Sequence, residues 1–305
     1  MNNISFAPVI LFGFNRVDLF ESLLTSLVEC EGCSKTDVYI FIDGPRTEGE
    51  RLEQLKFTPL INMYSSCFSQ LSILFSSENQ GLRRSLIGGV SSVLENYDSV
   101  IVLEDDLIVS NNFLSYMNKC LNFYKNNNEI ASISGYTNEI SKSNVVDNYF
   151  HLRPCSWGWA TWKNRWEVID WDYKPTSFKE WCLLWLKCKP VGDDIFRMFR
   201  HLHSGKNNSW AITWTINNII NKKMTSYPHL SKVSNIGFGV DATHCVSDNP
   251  FVTNFKYSSE NNFNLLKEAK TQGWIVIKFN LYFSNLYKAL FKLGFRLKNS
   301  NKGQK

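Results

Sequence analysis

Residues Ser99-Val-Ile-Val-Leu-Glu-Asp-Asp106 set three consecutive carboxylates, Glu104, Asp105 and Asp106, at the end of an unbroken β-rich apolar run. A short continuous run of Val, Ile and Leu reads as a strand buried on both faces, as in a parallel sheet. In open α/β sheets ligands bind beyond the carboxyl ends of the strands, so the triplet is where a ligand belongs. Three adjacent anions are costly unless a cation joins them. Their hard oxygens suit Mn²⁺ or Mg²⁺, which one or two carboxylates hold while substrate phosphates complete the shell. The plain alternative is an acidic turn facing water; the strand in front of the triplet and the motifs elsewhere favour a ligand.

Other polar residues follow apolar runs in the same way. Phe14, Asn15 and Arg16 come after Pro8–Gly13, Asp43 after Val38–Ile42, and Asn79 after Leu71–Phe75. All four runs thus end in groups suited to a nucleotide. In Asn79-Gln-Gly81-Leu-Arg-Arg84, Gly81 permits a tight start to a helix whose first turn carries Arg83 and Arg84. Cations there oppose the helix macrodipole by about 0.3–1 kcal/mol each when exposed, a cost that a bound anion reverses. Free amides and two guanidinium groups would together seat a diphosphate. No GxGxxG follows the first strand and no Walker lysine motif occurs, which removes support from dinucleotide oxidoreductase and P-loop readings.

All ten tryptophans lie beyond residue 150. Trp162, Trp166, Trp181, Trp185 and Trp214 have helix-like spacings among apolar neighbours and read as core. Trp157-Gly158-Trp159 differs: a glycine between two indoles lets a ligand approach the backbone, and flat rings with a polar N–H suit sugar faces. Asn235-Ile-Gly-Phe-Gly-Val-Asp-Ala-Thr-His244 joins two glycines, Asp241 and His244 in one loop. His244 has the chemistry of a metal ligand or phosphate donor, and equally that of a structural histidine.

The elements that must position these groups are legible as an alternation. Strand-sized runs at 8–14, 38–44, 71–75, 99–106 and 130–134 are separated by helical stretches at 17–29, 48–64, 81–96 and 113–124. Such spacing implies right-handed crossovers and a mostly parallel, Rossmann-like α/β sheet flanked by helices. The expected organisation is a nucleotide-binding half over 1–140, an acceptor-side half over 141–260 and a C-terminal tail over 261–305.

At 305 residues, 44% hydrophobic and 20% charged, the chain has enough material for a large core. A net charge of +5 without basic blocks interleaved with aromatics does not point to nucleic acid. Eight cysteines show no disulfide-scaffold pattern, and Cys30-x-x-Cys33 has no second pair at zinc spacing. It reads as two reduced thiols near a helix end. No leader-like or membrane-spanning segment stands at the amino terminus, so a cytoplasmic location is expected. From Ala269 onward there are no acids, and Leu281 to Lys298 reads as an amphipathic basic helix, suited either to an anionic membrane surface or to docking on its own domain.

Taken together, the chain resembles GT-A nucleotide-sugar glycosyltransferases of the bacterial polysaccharide type, related to N-acetylglucosaminyltransferase I and family 2 enzymes. The resemblance runs through Phe14-Asn-Arg16, Ile42-Asp-Gly-Pro45, Asn79-Gln-Gly81, Val102-Leu-Glu-Asp-Asp106, Trp157-Gly-Trp159, Ser209-Trp-Ala211 and Asn235-Ile-Gly-Phe238. It implies that the carboxylate triplet is a DxD-type motif, with Asp106 on the metal and Asp105 or Glu104 facing the donor sugar or ribose. Arg16 and Asp43 would contact the nucleotide, and Trp157, Gly158, Trp159 and Trp210 the acceptor. The implied reaction inverts the anomeric centre by direct displacement, with an acidic general base on the acceptor side. In the resembled enzymes that base is an Asp between tryptophans, whereas Ala211 follows Trp210 here; Asp194 is the first substitute and Asp241 the second. The implied partners are a nucleotide-diphosphate sugar and a saccharide or lipid-linked saccharide. Two other accounts remain: a metal-dependent nucleotidyltransferase, and a non-catalytic sugar-nucleotide-binding subunit.

Overall fold

The computed structural model describes residues 6–138, 140, 143, 145–237, 260–284 and 287. Asp241, His244 and nearly all of the expected tail helix lie outside the described residues.

The expected alternation is present. β1 (Val9–Gly13), α1 (Val17–Val28), β2 (Asp37–Ile42), α2 (Glu48–Gln54), α3 (Phe57–Tyr64), β3 (Gln70–Phe75), α4 (Gly81–Leu94) and β4 (Ser99–Glu104) fill the first third. β5 (Leu107–Val109), α5 (Phe113–Tyr124), β6 (Ile130–Ser134), β7 (Asn148–His151), β8 (Trp159–Trp162) and α6 (Lys163–Trp166) follow. α7 (Phe178–Cys188), α8 (Asp193–His203), α9 (Trp210–Ile220), β9 (Met224–Pro228), β10 (Val233–Asn235) and α10 (Gly273–Tyr282) complete the described elements. The helix expected over 48–64 is two helices, because Pro59 has no N–H to give the Leu55 carbonyl and the first helix ends just before it.

Eight strands form one sheet in the order β3-β2-β1-β4-β8-β6-β9-β7, and β10 pairs with β5 in a separate two-stranded ribbon. β1 pairs in parallel with β2 and β4, β2 with β3, and β6 with β9. β8 runs antiparallel between β4 and β6, and β7 is an antiparallel edge on β9. The sheet therefore takes strands from both sides of residue 140, so the two expected halves share one hydrogen-bonded layer.

Strand alternation sends side chains to both faces, and both are covered. On one face Val9, Leu11, Ile101 and Leu103 pack with Phe20, Leu23, Leu24 and Leu27, the i, i+3, i+4, i+7 stripe of α1, and with α5. On the other, Ile10, Phe12, Val100 and Val102 pack with Leu86 and Val90 of α4 and Trp210 and Trp214 of α9. Full burial of such side chains contributes about 1.5–3 kcal/mol each. Cys30 belongs to the first of these cores, its thiol pushed up to about 12 by burial, as a structural cysteine should be.

The chain after residue 260 docks on this domain. Phe263 and Leu265 are buried in the core, the Leu266 N–H donates to Asn148 Oδ1 at 2.9 Å, and Tyr124 Oη donates to the Leu266 carbonyl at 2.7 Å. α10, which begins eight residues before the tail helix was expected, buries Ile275 and Phe279 against Tyr149 and Tyr227. Among the described residues no helix is long and apolar enough to cross a membrane.

His151 at the end of β7 stacks on Phe279 with ring centroids 3.7 Å apart, and its Nδ1 accepts the Arg153 N–H at 3.1 Å. Burial, then the neighbouring Arg153, push its pKa down to about 3. The unfolded chain takes up this proton below about pH 6.5, whereas the fold resists it down to about pH 3. Stability contributed here is intact above that window and falls as pH drops through it. Urea midpoints at pH 7 and pH 5 should show a smaller acid loss for His151→Gln than for the unmodified chain; equal losses would acquit His151.

Candidate active site

β4 lies between β1 and β8, and at its end the chain turns sharply through Asp105 and Asp106 into β5. Arg16, just past β1, reaches across to the triplet. Its Nε donates to Asp105 Oδ2 at 3.1 Å, one terminal nitrogen donates to Asp105 Oδ1, and the same nitrogen contacts Asp106 Oδ2 at 3.3 Å. None of these bonds goes to Glu104. Burial pushes Asp105 up to about 6 even against the guanidinium, and burial followed by the charges of Asp106 and Asp105 pushes Glu104 up to about 8. A single guanidinium thus leaves three carboxylates short of positive charge.

The β5–β10 ribbon brings the Asn235-Ile-Gly237 segment to the same place. The Ile236 N–H donates to the Asp106 carbonyl at 2.8 Å, and a Cβ on Gly237 would sit 2.6 Å from Asp106 Oδ2. Glycine is therefore required for this close approach. Of the motif ending at His244, the described part is seated on the carboxylate expected to hold the metal.

Among the described residues no group of three or more His, Cys, Asp or Glu side chains is arranged to hold a metal ion, so an ion here would have two carboxylates at most. Arg16 makes two bonds to Asp105, one longer contact to Asp106 and none to Glu104, so Asp106 and Glu104 are the carboxylates it holds least. That donor set fits Mg²⁺ or Mn²⁺ held by one or two carboxylates and completed by phosphate oxygens, and does not fit a closed structural site.

The anion seat expected at Gly81 is filled by the protein itself. Asp43 accepts the backbone N–H groups of Gln80 and Gly81, each at 2.9 Å, as well as that of Gly44 and, at 3.2 Å, the Asn79 amide. A carboxylate at the start of α4 satisfies the amides and the macrodipole that a diphosphate would have used. A Cβ on Gly44 would lie 2.2 Å from the Glu78 backbone, so this junction is built by close backbone contact. Arg83 turns away, donating to Thr213 Oγ1 at 3.0 Å and to the carbonyls of Ser209 and Trp171, and so ties α4 to α9. Arg84 is exposed.

Phe14 and Asn15 are half-buried at the end of β1. The Arg46 guanidinium, ion-paired with Glu50, lies 4.8 Å from the Phe14 ring centroid, a cation–aromatic contact absent from the sequence expectations. Arg46 follows directly on Asp43-Gly-Pro45, which was the available signal.

The tryptophans divide differently from expectation. Trp159 is fully buried and packs on Trp166, Trp210 and Trp214 at 4.5–5.6 Å, so both it and Trp210 are core residues on the α4–α9 face. Strand pairing of β8 with β4 turns Trp159 inward. Trp157 remains half-buried, packed against the core and edge-on to Tyr136 at 4.6 Å. Gly158 has φ +57°, and a Cβ there would meet Val233 at 2.6 Å. Its role is close packing against the ribbon that carries Gly237.

Asp194, at the start of α8, is held by Arg153 through bonds of 2.8 and 3.0 Å and is buried. A carboxylate clamped by both guanidinium nitrogens is poorly disposed to accept a substrate proton. Arg153 itself went unread in the sequence. The loop it opens passes through Cys155, close enough to Glu104 for the charge to act on the thiol, before reaching Trp157.

No family model matches the chain, and no curated protein matches it. Among solved structures it is similar to the S. aureus TarS 1–349 complex with UDP at 10% identity and a TM-score of 0.43, covering 74% of this chain and 58% of that one. It is also similar to GalNAc-T7 with UDP, GalNAc and Mn²⁺ at 9% identity and a TM-score of 0.47, covering 77% and 44%. The chain thus spans less than two thirds of either. These superpositions are loose, and the site is assigned from its own geometry.

The two adjacent arginines should separate cleanly in equilibrium urea unfolding. Arg83→Gln removes three part-buried bonds to α9 and the Trp171 carbonyl and should cost about 1–3 kcal/mol. Arg84→Gln should stay within about 0.5 kcal/mol. Equal stability of the two variants would contradict the bracing role of Arg83.

Proposed function

We propose that the chain is a metal-dependent GT-A glycosyltransferase that moves a sugar from a nucleotide-diphosphate donor to a saccharide acceptor. One observation carries this reading: three carboxylates at the tip of a central strand, answered by one guanidinium and closed over by Gly237. Such a site is short of positive charge and sits where an α/β sheet binds ligands. A divalent ion there would neutralise the leaving diphosphate. Asp106 and Glu104 are the residues to hold it, and Arg16 orients Asp105 toward the donor. Phe14 and Arg46 offer an aromatic and a cationic face to the base, and Asn15 a polar edge. Trp157 is the acceptor contact.

With Asp194 committed to Arg153, Asp241 becomes the leading general base for an inverting displacement. Three residues of chain separate it from Gly237, four Cα steps with a reach of at most about 14 Å. His244 stays a candidate second ligand. A donor-binding subunit without turnover is the second reading, favoured by the clamped Asp194 and by Ala211 beside Trp210. We further propose a lipid-linked acceptor used in cell-surface polysaccharide synthesis at the cytoplasmic face of the membrane, in keeping with the acid-free C-terminal stretch.

Thermal shift with nucleoside diphosphates, with and without Mn²⁺, tests the core of the proposal. A ligand at about 100 times its dissociation constant adds roughly 2.7 kcal/mol of stability. Stabilisation should require both nucleotide and metal, and Asp106→Asn should abolish it while keeping the unliganded melting temperature. Nucleotide binding unaffected by metal or by Asp106→Asn would sink the assignment. Metal-dependent binding without release of nucleoside diphosphate, across a panel of saccharide acceptors, would select the subunit reading.

A further inference from the structure

Two helices present apolar side chains outward. On α7, Phe178, Trp185 and Leu186 recur at i, i+7, i+8 with exposures of 85%, 44% and 55%, while Leu184 and Cys188 face the core. On α10, Trp274, Ile277 and Leu281 recur at i, i+3, i+7, opposite the buried Ile275 and Phe279. α10 packs on the Lys189–Val191 turn that ends α7, and Phe283 lies against Gly192 and under the Arg153 guanidinium, 3.6 Å from it. The two exposed stripes therefore flank one junction. A soluble domain seldom exposes two such apolar stripes without a use.

The charges around the stripes are cationic. Lys174, Lys179 and Lys187 accompany Glu180, which is spent on the Thr176 N–H and hydroxyl, while Lys189 is paired with Asp193 at 3.2 Å, so the surplus on this helix is carried by Lys174, Lys179 and Lys187. Lys189 lies 4.6 Å from the Trp185 ring and Lys278 5.2 Å from the Trp274 ring, so each exposed indole is partnered by an ammonium group. The described stretch 269–284 adds Lys270 and Lys278 and no acid. Tryptophan beside lysine on an otherwise apolar helix face is the composition of the headgroup level of a bilayer.

We infer that the α7–α10 face docks on an anionic lipid surface. Arg153 braces this face, since it pairs with Asp194 of α8 and lies over Phe283 at the end of α10, and the chain leads from it to Gly158, which packs on Val233 of the ribbon that carries Gly237. A membrane held there would present a lipid-borne acceptor close to the site; that consequence rests on the transfer reading above, whereas the docking itself does not.

The test is co-sedimentation of the full chain with phosphatidylcholine–phosphatidylglycerol vesicles and with pure phosphatidylcholine vesicles, at low and high salt. Binding should require the anionic lipid and weaken as salt rises. Lys179→Gln with Lys187→Gln should lower partitioning about tenfold at low salt. Trp185→Ser with Leu186→Ser, and separately Trp274→Ser with Ile277→Ser, should each lower it with unchanged melting temperature. Wild-type partitioning of both α7 variants would mean that the C-terminal cations bind alone, and would overturn the inference. So would the absence of binding, or a concentration-dependent dimer in sedimentation equilibrium that the Trp185 variant abolishes. Release of nucleoside diphosphate from a soluble donor, measured in parallel, keeps a failed docking surface distinct from a failed transferase.

Discussion

Three carboxylates crowded into one partly buried turn govern the architecture around them. Taking charge out of water costs several kcal/mol per ion after relaxation, and like charges add to it. The fold answers from three directions. β1 supplies Arg16, β10 lays Gly237 on Asp106, and the Cys155 loop passes beside Glu104. Arg16 and the Cys155 loop adjoin β1 and β8, the two hydrogen-bonded neighbours of β4, whereas Gly237 is carried by the separate β5–β10 ribbon. The charge deficit that persists is a property a binding site can use and a purely structural turn would have no reason to keep.

The contrast with Asp43 clarifies the point. Both acids end strands of the parallel half, yet Asp43 is surrounded by backbone N–H groups and is fully satisfied. One carboxylate closes a helix start; the others share a single guanidinium. Sequence position alone does not distinguish them, because the difference lies in which way the next turn carries the amides.

Much of the fold was legible, and for a simple reason. Apolar runs at 8–14, 38–44, 71–75 and 99–106 are long, β-branched and separated by helical periods, so local pattern and tertiary burial agree. Arg16, Asp43, Asn79 and the triplet were singled out because they end those runs. What escaped was pairing. Trp159 looked like a ligand contact beside Gly158, and only the insertion of β8 between β4 and β6 turns it into the core. Arg83 looked like half of an anion site until α9 packed over it. Asp194 looked available until Arg153, forty-one residues away, closed on it. Long-range partners of polar groups leave no local trace, whereas burial of apolar ones does.

The tryptophan arrangement also gives the molecule built-in optics. Trp159, Trp166, Trp210 and Trp214 stack within 4.5–5.6 Å on the face of the sheet that α4 and α9 cover. Indoles this close exchange excitation, so their near-ultraviolet dichroism reports the packing of that layer as a unit, without any label. Trp185 and Trp274 stand apart in water, and their emission colour responds to whatever covers them. The same residue type therefore furnishes two independent signals, one from the interior and one from the rim.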